Sequence, residues 1–127
     1  MGKHISMKSG NLFRNIPAGQ LKDELFETLN QSESALIERI ISRGHKTPDH
    51  DWYDQTRAEW VVLLEGSAEL EFEDGSIAHL EKGDYLDIPA HCKHRVRWTS
   101  PDETCVWLAI HYCQDESPDS SHSKTVS

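Results

Sequence analysis

Short runs in which apolar and polar side chains alternate make up most of this chain after residue 34. The clearest is residues 67–73, where Ala68, Leu70 and Phe72 alternate with three glutamates before an Asp-Gly turn. A period of two places the apolar side chains on one face of a β-strand and the charged ones on the other. This run therefore predicts a hairpin strand with one face in solvent.

Six further runs resemble strands and are separated by turn residues. They are residues 36–43, 60–64, 77–80, 85–88, 95–98 and 104–112. Strands this short, without helical patterns between them, are typical of an antiparallel sandwich or barrel. We therefore predict an all-β fold.

Two runs raise the question of what covers their second face. Residues 60–64 and 104–112 are apolar on both faces, so a second sheet, a helix or a partner subunit must cover the outer one. We expect a homodimer.

In residues 36–43, Glu38 and Arg39 lie on opposite faces, so one of them must point into the interior.

One segment before these strands has helical spacing. Leu21, Leu25, Phe26 and Leu29 lie at i, i+4, i+5 and i+8, after Pro17. This spacing places the four side chains on one face of a helix. We predict a short N-terminal helix packed against the edge of the β-structure.

Length and charge exclude several classes of protein. A chain of 127 residues predicts one domain, which we place at residues 11–113, with a flexible N-terminus at 1–10 and a disordered polar tail at 114–127. The net charge of −9 opposes binding to nucleic acid, which requires clustered lysine and arginine. No apolar run approaches the roughly 20 residues that span a bilayer, and no signal peptide is recognisable. We expect a cytoplasmic protein with no membrane partner.

The cysteines agree with that compartment. Cys92, Cys105 and Cys113 are odd in number and lack Cys-x-x-Cys spacing, which indicates reduced thiols rather than a disulfide framework.

Two stretches place a candidate metal ligand at the start of a strand. Glu59 is followed by six residues and then Gly66, while Gly83 is followed by five residues, Pro89, one residue, His91, two residues and then His94. This spacing resembles the two sequence motifs of the cupin superfamily, and the similarity covers about residues 11–113. The resemblance implies a jelly-roll barrel of antiparallel strands, with a divalent metal held inside by three histidines and one glutamate.

The chain departs from that pattern at the metal positions. Gln55 stands where the motif has its second histidine, and Tyr53 where it has the first. In an alternative register Gly44 opens the motif and His50 becomes the first histidine. The second motif has His91 in place of a glycine and Trp98 in place of an asparagine.

These positions predict a mixed nitrogen and oxygen site. The candidate ligands of a divalent Fe, Mn or Zn ion are Gln55, Glu59, His94 and His50. The candidate catalytic residues, which would move protons, are Tyr53 and His91. A structural role remains the alternative for each residue: His94, for example, would also serve as the partner of a carboxylate.

Two functions agree with these residues. The first is a metal-dependent enzyme of the isomerase, decarboxylase or dioxygenase type, acting on a small metabolite in the barrel. The alternative is a non-catalytic module that binds or senses a small molecule and keeps a degenerate metal site.

Overall fold

The computed structural model of the protein describes residues 6–114. Within them lie eight β-strands and no helix, so the predicted all-β fold is confirmed. The strands are β1 (Leu25–Gln31), β2 (Ala35–Ser42), β3 (Ala58–Glu65), β4 (Ala68–Phe72), β5 (Ile77–Leu80), β6 (Tyr85–Ile88), β7 (His94–Thr99) and β8 (Cys105–Tyr112). Most of the two predicted flexible ends, residues 1–5 and 115–127, falls outside the described residues.

The strands form two antiparallel sheets. The larger has the order β1-β2-β8-β3-β6, and the smaller has the order β5-β4-β7. The apolar core lies between them and includes Val61 and Leu63 from β3, Leu70 from β4 and Trp107 from β8. The second sheet therefore covers the inner face of the two strands that are apolar on both sides.

The predicted N-terminal helix is wrong. Leu25–Gln31 forms β1, which pairs with β2 and places Glu27 directly opposite Arg39. This pairing supplies backbone hydrogen-bond partners along the edge of β2, and it aligns an acidic side chain with a buried guanidinium. These long-range interactions outweigh the local preference of the segment for a helix, which is weak.

Arg39 points away from the barrel interior, while Glu38 on the same strand lines the interior cavity. The Arg39 guanidinium donates to the Glu27 carboxylate and to the backbone carbonyls of Leu12 and Arg14. We call residues 11–24 the N-terminal strap. The strap lies across the outer face of β2, which explains how Arg39 is only 5% exposed.

The strap has further attachments along its length. Arg43 donates to the carbonyls of Pro17 and Gly19, and the Nε2 atom of His45 bonds the carbonyl of Leu21. Side chains just after β2 thus bond the strap backbone at several points and hold the residues that lead into β1.

The described residues contain no helix long and apolar enough to cross a membrane.

Candidate functional site

A cavity of about 80 Å³ lies between the two sheets. By this measure one water molecule takes up roughly 10–15 Å³, so the cavity has room for a ligand of a few non-hydrogen atoms. Its apolar lining includes Ile40, Val61, Leu70 and Trp107, and the half-exposed Phe26 lies where the cavity meets solvent. The polar side chains in the lining are Glu24, Glu38, Tyr53, Gln55, Glu59, His94 and His111.

Glu59 and His94 meet inside this cavity. The Nε2 atom of His94 lies 3.3 Å from Oε1 of Glu59, and their side chains are only 7% and 12% exposed. The Nδ1–H group of His94 donates to the carbonyl of Cys92 at 2.9 Å. Because that bond fixes the ring orientation and one proton, Nε2 is directed into the cavity.

The pKa of His94 is raised above its usual 6.5. Burial is the largest influence and opposes the charged ring, but the Glu59 carboxylate and the Cys92 carbonyl together outweigh it. In the absence of any other ligand, the Glu59 carboxylate therefore favours the protonated form of the His94 ring.

Tyr53 is held against His94 by its backbone. The N–H group of Tyr53 donates to the His94 carbonyl at 2.8 Å, and the N–H group of His94 donates back at 3.1 Å. The two rings lie 5.6 Å apart, centroid to centroid. Burial, followed by the carboxylate of Glu24, raises the pKa of the Tyr53 hydroxyl, so this hydroxyl keeps its proton at neutral pH.

Gln55 contributes an unsatisfied oxygen. Its Oε1 atom is buried and has no hydrogen-bond partner within the protein, although Gln55 lines the cavity. A buried carbonyl oxygen without a partner costs roughly 1–3 kcal/mol, so such groups usually bind a water, an ion or a ligand.

Sequence reasoning did not identify a second pair of polar residues in this cavity. The Nε2–H group of His111 donates to Oε1 of Glu38 at 3.0 Å. His111 lies directly opposite Glu59 in the pairing of β8 with β3. The alternation of side chains along β8 could have identified His111 as an interior residue, because it lies on the same face of the strand as the core residue Trp107.

Glu24 is the third acid of the cavity and was also missed. Its Oε2 atom accepts from the Ser42 hydroxyl at 2.5 Å, and that hydroxyl accepts from the indole N–H of Trp107 at 3.2 Å. Glu24 precedes β1, where a helix was predicted, so its place in the wall of the cavity was not foreseeable from the spacing.

Two predicted site residues lie outside the cavity lining. His50 is exposed in the loop between β2 and β3. The His91 side chain is 67% exposed between β6 and β7, where its Nδ1 atom lies 3.3 Å from Asp54. The structure thus brings together Tyr53, Gln55, Glu59 and His94, and separates His50 and His91 from them.

The donor atoms of the cavity fit a weak site for a divalent metal. In the part of the chain that the structure describes, no three histidine, cysteine, aspartate or glutamate side chains are arranged to hold an ion. His94 and Glu59 would supply two conventional donors, and the unpartnered amide oxygen of Gln55 would supply a third. A mixed set of this kind suits borderline and hard ions such as Fe(II), Mn(II) or Zn(II).

Comparison with known proteins identifies the fold family. The family model of the cupin domain matches residues 39–111, which is more than half of the 127 residues. The chain belongs to the cupin family. The jelly-roll barrel and the cupin resemblance predicted from the two motifs are therefore confirmed.

Solved structures similar to this cupin span nearly its whole described length. A proposed mannose-6-phosphate isomerase from Ralstonia eutropha JMP134 is 44% identical, with a TM-score of 0.80 over 84% of this chain and 99% of that one. A cupin superfamily protein from Desulfitobacterium hafniense is 18% identical, with a TM-score of 0.67 over 88% and 97% of the two chains. The polyketide cyclase RemF from Streptomyces resistomycificus is 19% identical, with a TM-score of 0.61 over 83% and 80%. The last two show likeness of fold alone, and no curated protein matches the chain.

Proposed function

We propose that this cupin is a metal-dependent enzyme that acts on a small molecule in the cavity between the sheets. The observation that supports it most is the buried, unpartnered oxygen of Gln55 in the same cavity as the Glu59–His94 pair. A divalent Fe, Mn or Zn ion bound by these three residues would polarise a carbonyl or hydroxyl oxygen of the substrate.

The chain's own residues supply the remaining functions. The Cys92 carbonyl keeps a proton on Nδ1 of His94, so Nε2, after losing its own proton to solvent, would bind the same ion as Glu59. The hydroxyl of Tyr53 keeps its proton and is able to donate a hydrogen bond. Nε2 of His111, oriented by Glu38, is a second position at which a proton can be held or released.

Among the three reaction types that the sequence predicts, we favour isomerisation. The 44% identical structure from Ralstonia eutropha carries the name of a proposed isomerase. Isomerisation of a hydroxycarbonyl compound requires proton transfer between neighbouring atoms, and the cavity contains a tyrosine hydroxyl and a His–Glu pair for that purpose.

The second candidate function is a non-catalytic module that binds a small molecule. One observation favours it: among residues 6–114, no three histidine, cysteine, aspartate or glutamate side chains are arranged to hold one ion, where the resemblance implies four ligands. Metal content therefore separates the two candidates.

The first experiment measures metal binding. The protein, purified without a histidine tag and stripped with EDTA, is dialysed against Mn(II), Zn(II) or, anaerobically, Fe(II), and its metal content is measured by elemental analysis. We expect about one ion per chain, lost in Glu59→Ala and His94→Ala and kept in His79→Ala, whose ring is exposed on β5. Folded protein that binds no metal would favour the binding module.

A substitution that adds a ligand tests the role of Gln55. Gln55→Glu replaces the unpartnered amide oxygen by a carboxylate, so we expect metal affinity to rise at least tenfold, which is about 1.4 kcal/mol. Unchanged affinity in a folded Gln55→Glu protein would place Gln55 outside the metal site.

The proposal also includes a homodimer in the cytoplasm. On the outer face of the larger sheet, the ring of Trp60 lies 5.4 Å from that of Tyr85, which is 62% exposed. A second copy would cover this aromatic surface. Light scattering during size-exclusion chromatography tests the dimer, and Trp60→Lys should give a monomer.

The three cysteines are free, which fits a reducing compartment.

A further inference from the structure

We propose that the cavity accepts a small ligand that donates hydrogen bonds and is neutral or positively charged, and that it excludes phosphorylated compounds. This inference rests on the proposed function, because it takes the cavity to be the substrate site. It concerns the class of substrate, which neither the family nor the fold determines.

The charge of the lining is the first reason. Three acidic side chains, Glu24, Glu38 and Glu59, line the cavity, and no lysine or arginine among the described residues does so. Phosphate recognition in proteins depends on arginine, lysine or exposed backbone N–H groups. A bound divalent ion would bring two positive charges against three carboxylates, so the lining would still not favour an anion.

Two arginines that adjoin cavity residues in the sequence, Arg39 and Arg95, have other partners. Arg39 points to the opposite face of β2, where it bonds Glu27 and the strap. Arg95 lies on the outer side of β7, where it bonds Glu71 at 3.1 Å and stacks over the ring of Trp52. Neither guanidinium lines the cavity.

The carboxylates of the cavity are directed by fixed hydrogen bonds. Ser42 donates to Glu24, His111 donates to Glu38, and His94 lies beside Glu59. Each carboxylate has further lone pairs for a ligand hydroxyl or ammonium group. The cavity of about 80 Å³ limits such a ligand to a few non-hydrogen atoms.

The 44% identical structure from Ralstonia eutropha provides a comparison of substrate class. Its name refers to mannose 6-phosphate, a sugar phosphate. Among the described residues, the lining has no lysine or arginine to bind the phosphate, and the cavity is small for a hexose. We therefore infer that the two proteins differ in substrate class if that name describes the activity of the neighbour.

The test compares three probes by NMR. EDTA-treated protein is titrated with ethanolamine, glycerol 3-phosphate and mannose 6-phosphate, and the resonances of the Trp107 indole and the Tyr53 ring are followed. We expect saturable shifts with ethanolamine at millimolar concentrations and none with either phosphate. Binding of either phosphate in the cavity would overturn the inference. So would the absence of any shift with ethanolamine at about 100 mM, because an acidic cavity of this size must attract that cation.

Variants establish that the carboxylates are responsible. Glu38→Gln and Glu24→Gln should each lower the affinity for ethanolamine about tenfold, which is about 1.4 kcal/mol. Glu33→Gln makes the same chemical change at an exposed position between β1 and β2 and should have no effect. Should one cavity variant fail to fold, the other provides the test, and equal affinity in it and in Glu33→Gln would overturn the inference.

The proposed metal function can fail separately. Ethanolamine is first titrated into metal-free protein, so its binding does not depend on an ion. If no metal binds but ethanolamine does, the metal-dependent reaction is refuted while the class of ligand stands. If a metal binds and a phosphate enters the cavity, the reverse holds.

Discussion

Replacing Arg39 by methionine removes the central attachment of the N-terminal strap. The guanidinium Nη1 atom lies 3.0 Å from the Leu12 carbonyl and 2.6 Å from the Arg14 carbonyl, and Nε lies 2.5 Å from Glu27. Methionine keeps much of the apolar stem and removes all three hydrogen bonds. The change therefore isolates the contribution of the charged group.

The size of the effect follows from these contacts. A hydrogen bond to a charged group contributes roughly 1.5–3 kcal/mol when its partner stays buried. Here the loss is smaller, because the Glu27 side chain is already 35% exposed and the strap carbonyls can reach water once the strap detaches. We take about 1 kcal/mol for each bond, and so expect Arg39→Met to lower the free energy of unfolding by about 3 kcal/mol. At this chain length that corresponds to a fall in Tm of about 12 °C.

The assay combines urea unfolding with hydrogen exchange. Unfolding followed by circular dichroism gives the free energy, and mass spectrometry gives the exchange rate of peptides from the strap, residues 11–24. The matched control is Arg97→Met, whose guanidinium bonds Glu69 at 2.7 Å but is 49% exposed. An exposed ion pair contributes up to about 1 kcal/mol, so the control should change little.

Two results would refute this reasoning. One is a loss in Arg39→Met no larger than in Arg97→Met, because burial would then confer no advantage on the Arg39 contacts. The other is a large loss of stability with no change in the hydrogen-exchange rate of the strap. The two proteins would be compared at urea concentrations equally far below their unfolding midpoints. In that case Arg39 would stabilise the barrel without holding the strap.

Three further predictions concern the core and the cavity. Gly66 has a φ of +97°, and an added Cβ would lie 2.6 Å from Sγ of Cys105. Gly66→Ala should therefore lower the free energy of unfolding in urea by at least about 2 kcal/mol. An unchanged free energy of unfolding would contradict the steric argument. Ser42→Ala leaves the buried indole N–H of Trp107 without its acceptor and should cost about 2 kcal/mol by thermal unfolding, whereas a loss below about 0.5 kcal/mol would show that another group accepts that proton. In EDTA-treated protein the pKa of His94 is raised: burial opposes this, but its carboxylate partner and a backbone carbonyl outweigh burial. Its contribution to stability is therefore full below the unfolded-state pKa of about 6.5 and is lost as pH rises through the folded-state value, and a stability difference from His94→Gln that is the same at about pH 5.5 and pH 9 would exclude this linkage.

Much of the barrel was predictable because its signals are local. Strict alternation in Ala68–Phe72 and the turns around Gly66 and Gly83 determine where strands begin and end. The same alternation predicts that Glu59, Val61 and Leu63 share one face, and the structure places all three inside. Seven of the eight strands were found in this way.

Tertiary structure alone decided the remaining features. Leu25–Gln31 is a strand because the edge of β2 and the guanidinium of Arg39 were available to it, and no spacing within the segment records either. The choice between Glu38 and Arg39 depended on which face of β2 the strap would cover. Glu24 and His111 reach the cavity through segments distant from the motif residues, so their proximity to Glu59 exists only after the sheets have packed. Sequence thus determines seven of the eight strands and four of the residues that line the cavity, whereas packing between distant segments determines the acidic character of the cavity.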